Sequence, residues 1–201
     1  MPRVSEAHLA ARRQQIIDAA RACFLRNGFH NTSMQDVIAE AGLSVGAVYR
    51  YFPSKYDLVT ALATQVIDQV TGAFDHLAAV QPPLPMAEII QGAVEIAAKH
   101  TGPDGALRLA VQVWAEAMHD PQLAEFVGGV YSGVRARLIT LAARAVEAGE
   151  LPAGTEPEDV ASVIFALLPG FTLQRILIGV PEPASFQAGL QALFGRAKIN
   201  P

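Results

Sequence analysis

Residues 32–55, TSMQDVIAEAGLSVGAVYRYFPSK, are cut by helix-ending residues into two short helical segments. Gly42 follows the first segment, at the position where glycine adopts the left-handed conformation that ends a helix. Pro53 ends the second segment, because proline disfavours helical geometry in the residue before it. The pattern therefore predicts two short helices, residues 32–41 and 45–52, joined by a tight turn as in a helix-turn-helix motif.

Capping residues mark where these helices begin. Thr32 is predicted to cap the first helix, with Gln35 three residues later completing a capping box. Ser44 is predicted to cap the second helix and Ser54 the third. Asp57 lies near the start of the third helix, where the helix dipole favours negative charge.

The second short helix has an inward and an outward side. Val48 and Phe52 are four residues apart and share the inward side. The outward side and its flanks hold the rest of the helix: Val45, Gly46, Ala47, Tyr49, Arg50 and Tyr51. The small residues let another molecule approach the backbone closely, and Arg50 is suited to a guanine edge or a phosphate. This composition favours contact with a DNA major groove.

Helix beginnings supply candidate phosphate contacts, since helix N-termini present free N–H groups and a partial positive charge. Thr32 and Ser33 open the first helix, and Ser54 and Lys55 open the third. Tyr49 can donate its hydroxyl to a phosphate oxygen, a contact that sets orientation rather than sequence preference. The same residues also fit a helical hairpin without a DNA partner, with the tyrosines packed and Lys55 solvated.

Charge is distributed unevenly along the chain. The whole chain carries −4, but residues 1–57 hold seven basic and five acidic groups, and residues 58–201 hold the other eight basic and fourteen acidic groups. The split is +2 against −6, so a nucleic-acid partner would depend on local charge.

Cys23 is the one cysteine, which excludes an intrachain disulfide and fits a reducing cytoplasm. The start of the chain has no apolar signal-peptide core, so a cytoplasmic location is expected.

Helical periodicity continues beyond the motif, and no strand-type alternation stands out. The predicted fold class is all-α, with an N-terminal helix-turn-helix three-helix domain and a larger helical C-terminal domain. Further helices are predicted at residues 54–80, 86–100, 104–118, 121–148, 156–179 and 184–197. The most apolar stretch, Val160–Val180, contains several polar residues and is interpreted as a buried helix rather than a membrane span.

Residues 16–62, IIDAARACFLRNGFHNTSMQDVIAEAGLSVGAVYRYFPSKYDLVTAL, closely resemble the DNA-binding domain of TetR-family transcriptional regulators. The resemblance implies a cytoplasmic homodimer of all-helical subunits that binds a palindromic, double-stranded DNA operator. It implies a DNA-binding domain over residues 1–57 and a ligand-binding and dimerisation domain over residues 58–201, linked by helix 54–80. The DNA-contacting positions carried over from the family are Thr32, Ser33, Ser44, Gly46, Tyr49, Tyr51 and Lys55.

Two positions depart from a frequent form of the family. Val45 stands where a basic residue is common, and Ala47 stands where threonine or serine is common. Both changes remove polar contacts from the groove-facing side, and they leave the operator sequence open. Together with Arg50, these two residues complete the predicted DNA-binding set.

The helix at about 158–179 is apolar nearly all round, which predicts burial on several sides. One side is expected to face its own subunit and another side the partner. Helices 158–179 and 184–197 are therefore assigned to an intersubunit four-helix bundle, which matches the arrangement usual in the family. Pro169 and Gly170 are expected to kink or interrupt the first of these helices.

Large side chains on the middle helices are candidates for an apolar ligand cavity, although each alone is more often a core residue. Trp114 is the leading candidate, because an aromatic ring with a donor suits a mostly apolar site. Gln112 is a candidate polar contact. The predicted ligand-binding set is Phe74, Leu109, Val113, Trp114, Met118, Phe165, Phe171 and Gln174.

Three classes of function are open on the sequence. The favoured hypothesis is a repressor released from its operator by a small apolar or amphipathic molecule, with helix 54–80 as the lever between the two sites. The second is a helical binding or scaffold protein without a DNA partner. The third, an enzyme, is disfavoured because the five histidines form no pair four residues apart and no phosphate-binding loop is present. No metal or cofactor is predicted, and no membrane partner.

Overall fold

A computed structural model describes residues 6–80 and 84–194 of the chain, and this part is all-α, as predicted. Each predicted helix is present, with its ends shifted by a few residues. The predicted end of the last helix at residue 197 lies outside the described residues. The helices are α1 (Glu6–Asn27), α2 (Met34–Ala41), α3 (Val45–Tyr51), α4 (Lys55–Ala79), α5 (Met86–Lys99), α6 (Ala106–Ala117), α7 (Pro121–Glu147), α8 (Pro157–Ile178) and α9 (Pro183–Phe194).

Two glycines end α1 and α2, the helix before the predicted DNA-binding hairpin and the first helix of the hairpin. Gly28 follows α1 with φ of +83°, and its N–H donates to the Phe24 carbonyl at 2.9 Å. Gly42 follows α2 with φ of +63°, and its N–H donates to the Ala39 carbonyl at 3.2 Å. Both angles lie in the left-handed region that glycine adopts without steric cost. The turn between α2 and α3 is therefore formed as predicted.

The predicted capping box at Thr32 and Gln35 is wrong by one residue. Ser33 is the N-cap of α2, and its N–H and hydroxyl donate to the Asp36 carboxylate at 2.8 and 2.7 Å. The Ser33 Oγ accepts in turn from the Asp36 N–H at 3.2 Å. Thr32 is buried, and its hydroxyl faces the carbonyls of Cys23 and Gly28. A buried hydroxyl bonded to another segment cannot cap α2.

The chain divides into two compact units, each described here by itself. The first comprises Met1–Val66 and Leu109–Phe126, and the second comprises Ile67–Arg108 and Val127–Pro201. The domain boundary after residue 57 stays a prediction, since it rests on charge and family resemblance. The core of the first unit includes these residues of α1 to α4 and of the C-cap of α3, none more than 2% exposed: Ile16, Ile17, Ala20, Cys23, Phe24, Val37, Val48, Phe52, Leu58 and Val59.

The second unit has a core cluster shared by α5, α7 and α8. Its buried members are Met86, Ile89 and Ala93 on α5, Leu138, Leu141, Ala142 and Ala145 on α7, and Ala161 and Ile164 on α8.

Arg137 on α7 forms a two-bond ion pair with Asp75 on α4, with N–O distances of 2.7 and 3.1 Å. The hydrogen bonds from Arg137 lower the pKa of Asp75.

α8 runs without interruption through Pro169, so the predicted interruption at Pro169 and Gly170 is absent, and the alternative of a kink there stays a prediction. Proline removes one helical hydrogen bond, and burial on both sides of it offsets that loss. Ile164 before the proline is 6% exposed, and Phe171 after it is fully buried. Packing against the core therefore holds the two halves in one helix.

Three large apolar residues of α8 are exposed in the single chain. Val163, Leu177 and Ile178 are 54%, 72% and 67% exposed. In the part of the chain that the structure describes, α8 alone has the length and apolar composition to cross a membrane. One such helix is weak support for a membrane location, because core helices of soluble proteins pass the same test. These residues are not buried within the single chain, so the burial of α8 on several sides stays a prediction.

Candidate nucleic-acid interface

α3 is held to the first unit by its inward residues and by its N-cap. Val48 and Phe52 are buried, as predicted. The Arg13 guanidinium of α1 lies 5.1 Å from the centroid of the Phe52 ring, a cation–π contact. The Ser44 Oγ accepts from the Ala47 N–H at 3.3 Å and caps the helix. These contacts fix which side of α3 faces outward.

The opposite side of α3 is open to solvent. Val45 is 59% exposed and Tyr49 is 39% exposed. A Cβ built on Gly46 would meet no atom within 4 Å, so packing within the described chain does not require glycine there. The exposed side comprises Val45, Gly46, Tyr49 and Arg50, with Ala47 and Tyr51 half-buried beside it. The buried side of α3 is the one predicted from the sequence, whereas Ala47, predicted to point outward, is half-buried.

Thr32 does not present its hydroxyl to a DNA partner, contrary to the predicted phosphate contact. It is 2% exposed, and its Oγ1 lies 2.8 Å from the Gly28 carbonyl oxygen and 3.2 Å from that of Cys23. Ser33 beside it is exposed, and its hydroxyl donates to Asp36. The backbone N–H of Ser33 is the main cause that lowers the pKa of Asp36. An internal carboxylate therefore already occupies the N-terminus of α2.

α4 begins with a second Ser–Asp box. The N–H and hydroxyl of Ser54 donate to the Asp57 Oδ2 at 2.9 and 2.6 Å. The Asp57 N–H donates back to the Ser54 Oγ at 3.3 Å. The Asp57 carboxylate therefore takes donors that a phosphate would otherwise accept from. Ser44 differs, because the first turn of α3 contains no acidic residue.

Lys55, the predicted phosphate-binding lysine, contacts the chain itself. Its Nζ lies 4.1 Å from the centroid of the Phe29 ring and donates to the His30 carbonyl at 3.4 Å. Partial burial lowers the pKa of Lys55, and the negative charge of Glu116 opposes that effect. The ammonium therefore lies between an aromatic face and a carbonyl oxygen, within the field of a carboxylate.

Two residues of α6 contact the loop between α1 and α2, and sequence reasoning missed both contacts. The Gln112 Oε1 accepts from the Phe29 N–H at 2.6 Å. The Glu116 Oε1 lies 3.6 Å from the His30 Nδ1. Gln112, predicted to contact a ligand, bonds here to backbone 83 residues away. No local pattern in the sequence signals a pairing over that separation.

The predicted ligand-binding residues are divided between the two units, and their role stays a prediction. In the first unit Leu109 and Val113 are each 8% exposed and Trp114 is half-buried. Met118 is 76% exposed, which contradicts its assignment to an apolar cavity wall. It follows α6, whose last residue is Ala117, so the turn carries it outward.

In the second unit Phe171 is fully buried beside Val94 and Ala97, with its ring 5.0 Å from that of Phe186. It is therefore a core residue. Phe165 is half-buried, with its ring 4.9 Å from that of Tyr131. Gln174 is exposed and donates to the Gly170 carbonyl of its own helix, and its predicted contact with a ligand stays a prediction. The side chain of Phe74 lies outside the described residues.

Over residues 6–80 and 84–194, His, Cys, Asp and Glu side chains form no group of three or more placed to hold a metal ion.

An all-α chain with a short helix presented outward from a buried anchor has the arrangement of a helix-turn-helix protein. The family model of bacterial regulatory proteins of the TetR family matches residues 16–62. The family model of the BetI-type transcriptional repressor C-terminal region matches residues 87–194, more than half of the chain. The chain belongs to the TetR family of transcriptional regulators, as the resemblance of residues 16–62 indicates.

Individual proteins show the same relationship. The HTH-type transcriptional regulator UidR of Escherichia coli (strain K12) is 27% identical over 184 residues, 91% of each chain. The HTH-type transcriptional repressor Rv1474c of Mycobacterium tuberculosis is 45% identical over 65 residues, 32% of this chain and 35% of that protein. The structure of Salmonella enterica GusR matches with a TM-score of 0.75 at 25% identity, over 96% of this chain and 100% of that chain. The similarity therefore extends over both units.

Proposed function

We propose that this protein is a ligand-responsive repressor that binds a palindromic operator as a homodimer. The observation that carries the proposal is the two-sided α3, with a buried anchor and an exposed side of small, aromatic and basic residues. Gly46 lies in open space, which leaves room for another molecule to approach the backbone there. In the major groove, Arg50 would contact a guanine edge or a phosphate and Val45 a thymine methyl.

The proposed DNA-binding domain, residues 1–57, would also contact phosphates on both sides of α3. We assign these contacts to Ser33, Ser44, Tyr49, Tyr51 and Lys55, all of them exposed or half-buried. Thr32 is left out because its hydroxyl is buried. Phosphate contacts fix the register of α3 and make affinity fall steeply with salt.

The exposed apolar residues of the last two helices support a dimer. Val163, Leu177 and Ile178 on α8 and Leu193 on α9 are each more than half exposed. Exposed large apolar residues concentrated on two neighbouring helices of the chain favour an interaction surface there. We propose that the regions at about 158–179 and 184–197 form a four-helix bundle with the same regions of a second copy. The dimer would present two α3 helices to successive major grooves, about 34–36 Å apart.

The proposed C-terminal domain, residues 58–201, would bind a small apolar or amphipathic effector without a metal or cofactor. The effector can release DNA only as far as it binds two conformations with different affinity. Trp114 is the one tryptophan of the chain and is half-buried, so its fluorescence reports on binding near α6. The protein would act in the cytoplasm, where its operator lies.

Fluorescence anisotropy with DNA duplexes enriched from a random pool tests the interface. Lys55→Ala should weaken binding to all sequences and reduce the salt slope by about one. Arg50→Ala should cost about 1–3 kcal/mol if it reads a base, and should relax preference at that position. Lys99→Ala and Arg135→Ala remove the same charges from exposed positions of the second unit. If the α3 and α4 variants bind like these controls, the scaffold alternative is favoured.

The effector is tested separately from the DNA contact. Candidate molecules that change the Trp114 fluorescence are added to the preformed DNA complex, and anisotropy measures release. A molecule that binds and lowers DNA affinity supports the repressor proposal. Saturating binding with unchanged DNA affinity would contradict the proposed coupling.

A further inference from the structure

One polar cluster joins three segments of the first unit, and we name it the α6 cluster: Phe29, His30, Lys55, Gln112 and Glu116. The Lys55 Nζ lies over the Phe29 ring and donates to the His30 carbonyl. Gln112 accepts from the Phe29 N–H, and the Glu116 carboxylate lies 3.6 Å from the His30 ring nitrogen. The proposed phosphate-binding lysine is therefore surrounded by groups that α6 helps to position.

Glu116 supplies the negative charge of the α6 cluster. Its side chain is 29% exposed, so water screens its charge incompletely. Its field favours the charged form of Lys55 and opposes the effect of partial burial on that pKa. A carboxylate that stabilises the Lys55 ammonium in the free protein reduces the free energy gained when that ammonium contacts a DNA phosphate instead.

Gln112 acts on the same loop from the neighbouring turn of α6. Residues four apart share one face of a helix, so Gln112 and Glu116 face the loop together. The bond from the Phe29 N–H to Gln112 is 2.6 Å long and holds the segment that carries the aromatic face under Lys55. The position of α6 is therefore coupled to the surroundings of Lys55.

We propose that Glu116 is a positioning residue that competes with DNA phosphate for Lys55. The position of α6 would then determine how strongly the Lys55 ammonium contacts the DNA. The inference rests on the proposed function, because it takes Lys55 as a phosphate contact. A phosphate and a carboxylate are both oxygen anions that attract the same ammonium. Moving α6 away from the loop would free Lys55, and holding it there would restrain Lys55.

Glu116→Gln tests the competition, since glutamine keeps the shape of the side chain and removes its charge. DNA binding should tighten about two- to fivefold at low salt, the range expected when one partly exposed opposite charge near Lys55 is removed. The salt slope should steepen by up to about one, because one more phosphate is neutralised. Glu125→Gln, at an exposed position of α7, is the matched control for net charge. Glu116→Asp keeps the charge and should retain the wild-type slope.

A double-mutant cycle shows whether Glu116 acts through Lys55. In the Lys55→Ala background, Glu116→Gln should no longer tighten binding. Equal tightening in both backgrounds, or equal tightening by Glu125→Gln, would overturn the inference and indicate general repulsion of DNA. Weaker or unchanged binding by Glu116→Gln would also overturn it, while leaving the phosphate contact of Lys55 intact. If Lys55→Ala alone changed neither affinity nor slope, the proposed role of Lys55 would fail as well.

Discussion

Thr32→Val separates a structural role for Thr32 from the DNA contact that the sequence predicts. Thr32 is 2% exposed, and its hydroxyl lies 2.8 Å from the Gly28 carbonyl oxygen and 3.2 Å from the Cys23 carbonyl oxygen. Valine has nearly the same shape, so no large cavity forms. The change therefore removes one hydroxyl donor from two backbone carbonyls and leaves the packing in place.

The cost follows from that lost donor. A typical hydrogen bond contributes about 0.5–1.5 kcal/mol net, and a buried group left unsatisfied costs about 1–3 kcal/mol. The added methyl group recovers part of this loss by burying apolar surface. We expect the free energy of unfolding to fall by about 1–2 kcal/mol. For a chain of this size the melting temperature should fall by about 2–8 °C, measured by circular dichroism.

DNA affinity of the folded variant, measured well below its melting temperature, decides between the two roles. Affinity should be unchanged, because the hydroxyl does not reach the surface. Thr64→Val is the matched control: the exposed Thr64 hydroxyl donates to the Thr60 carbonyl of its own helix, so stability should change by no more than about 0.5 kcal/mol. A Thr32→Val protein with wild-type stability and weakened DNA binding would refute the structural role.

Three other predictions concern the α2 cap, the groove-facing side and the dimer. Because its cap contacts lower the pKa of Asp36 from its ordinary value of 3.8, the cap stabilises the fold above pH 3.8 and this stabilisation is lost as pH falls through the folded pKa. The stability gap between wild type and Asp36→Asn should therefore shrink in acid, as urea titrations would show, and a widening gap would contradict this. Replacing thymine by uracil in the operator should weaken wild-type binding more than that of Val45→Ala, which competition binding measures; equal losses would argue against a methyl contact. Leu177→Glu should convert dimers to monomers in sedimentation experiments, and an unchanged dimer would place the interface elsewhere.

The helices and the two sides of α3 were predictable because their causes are local. Gly42 and Pro53 act through the steric limits of their own backbone, so their effect does not depend on tertiary contacts. Val48 and Phe52 share a face by helix geometry alone. The capping box was not predictable, since both Thr32 with Gln35 and Ser33 with Asp36 have the required spacing. Burial of Thr32 in the first unit decides between them.

Contacts between distant segments explain what sequence reasoning missed. Gln112 bonds to the Phe29 backbone across 83 residues, and neither residue has a local pattern that indicates the other. Met118 is apolar yet exposed, because the end of α6 carries it outward. Helical periodicity gives the face of a residue on its own helix, and it does not say which neighbouring helix covers that face.

The serines that cap α2, α3 and α4 have the same role in the sequence and unequal surroundings in the structure. The Ser33 and Ser54 hydroxyls donate to aspartate carboxylates at 2.7 and 2.6 Å. A phosphate must replace these charge-assisted hydrogen bonds before it can recruit either hydroxyl. The phosphate must also approach the negative charge of the aspartate.

Ser44 has neither obstacle. It caps α3 by accepting a hydrogen bond from the Ala47 N–H, and the first turn of α3 has no acidic residue. Its hydroxyl proton can therefore turn toward a phosphate while the cap stays intact. We expect Ser44→Ala to weaken DNA binding more than Ser33→Ala, although each loses a cap worth about 0.5–2 kcal/mol in stability. Anisotropy with one duplex compares them, and the reverse order would show that the aspartates do not compete with phosphate.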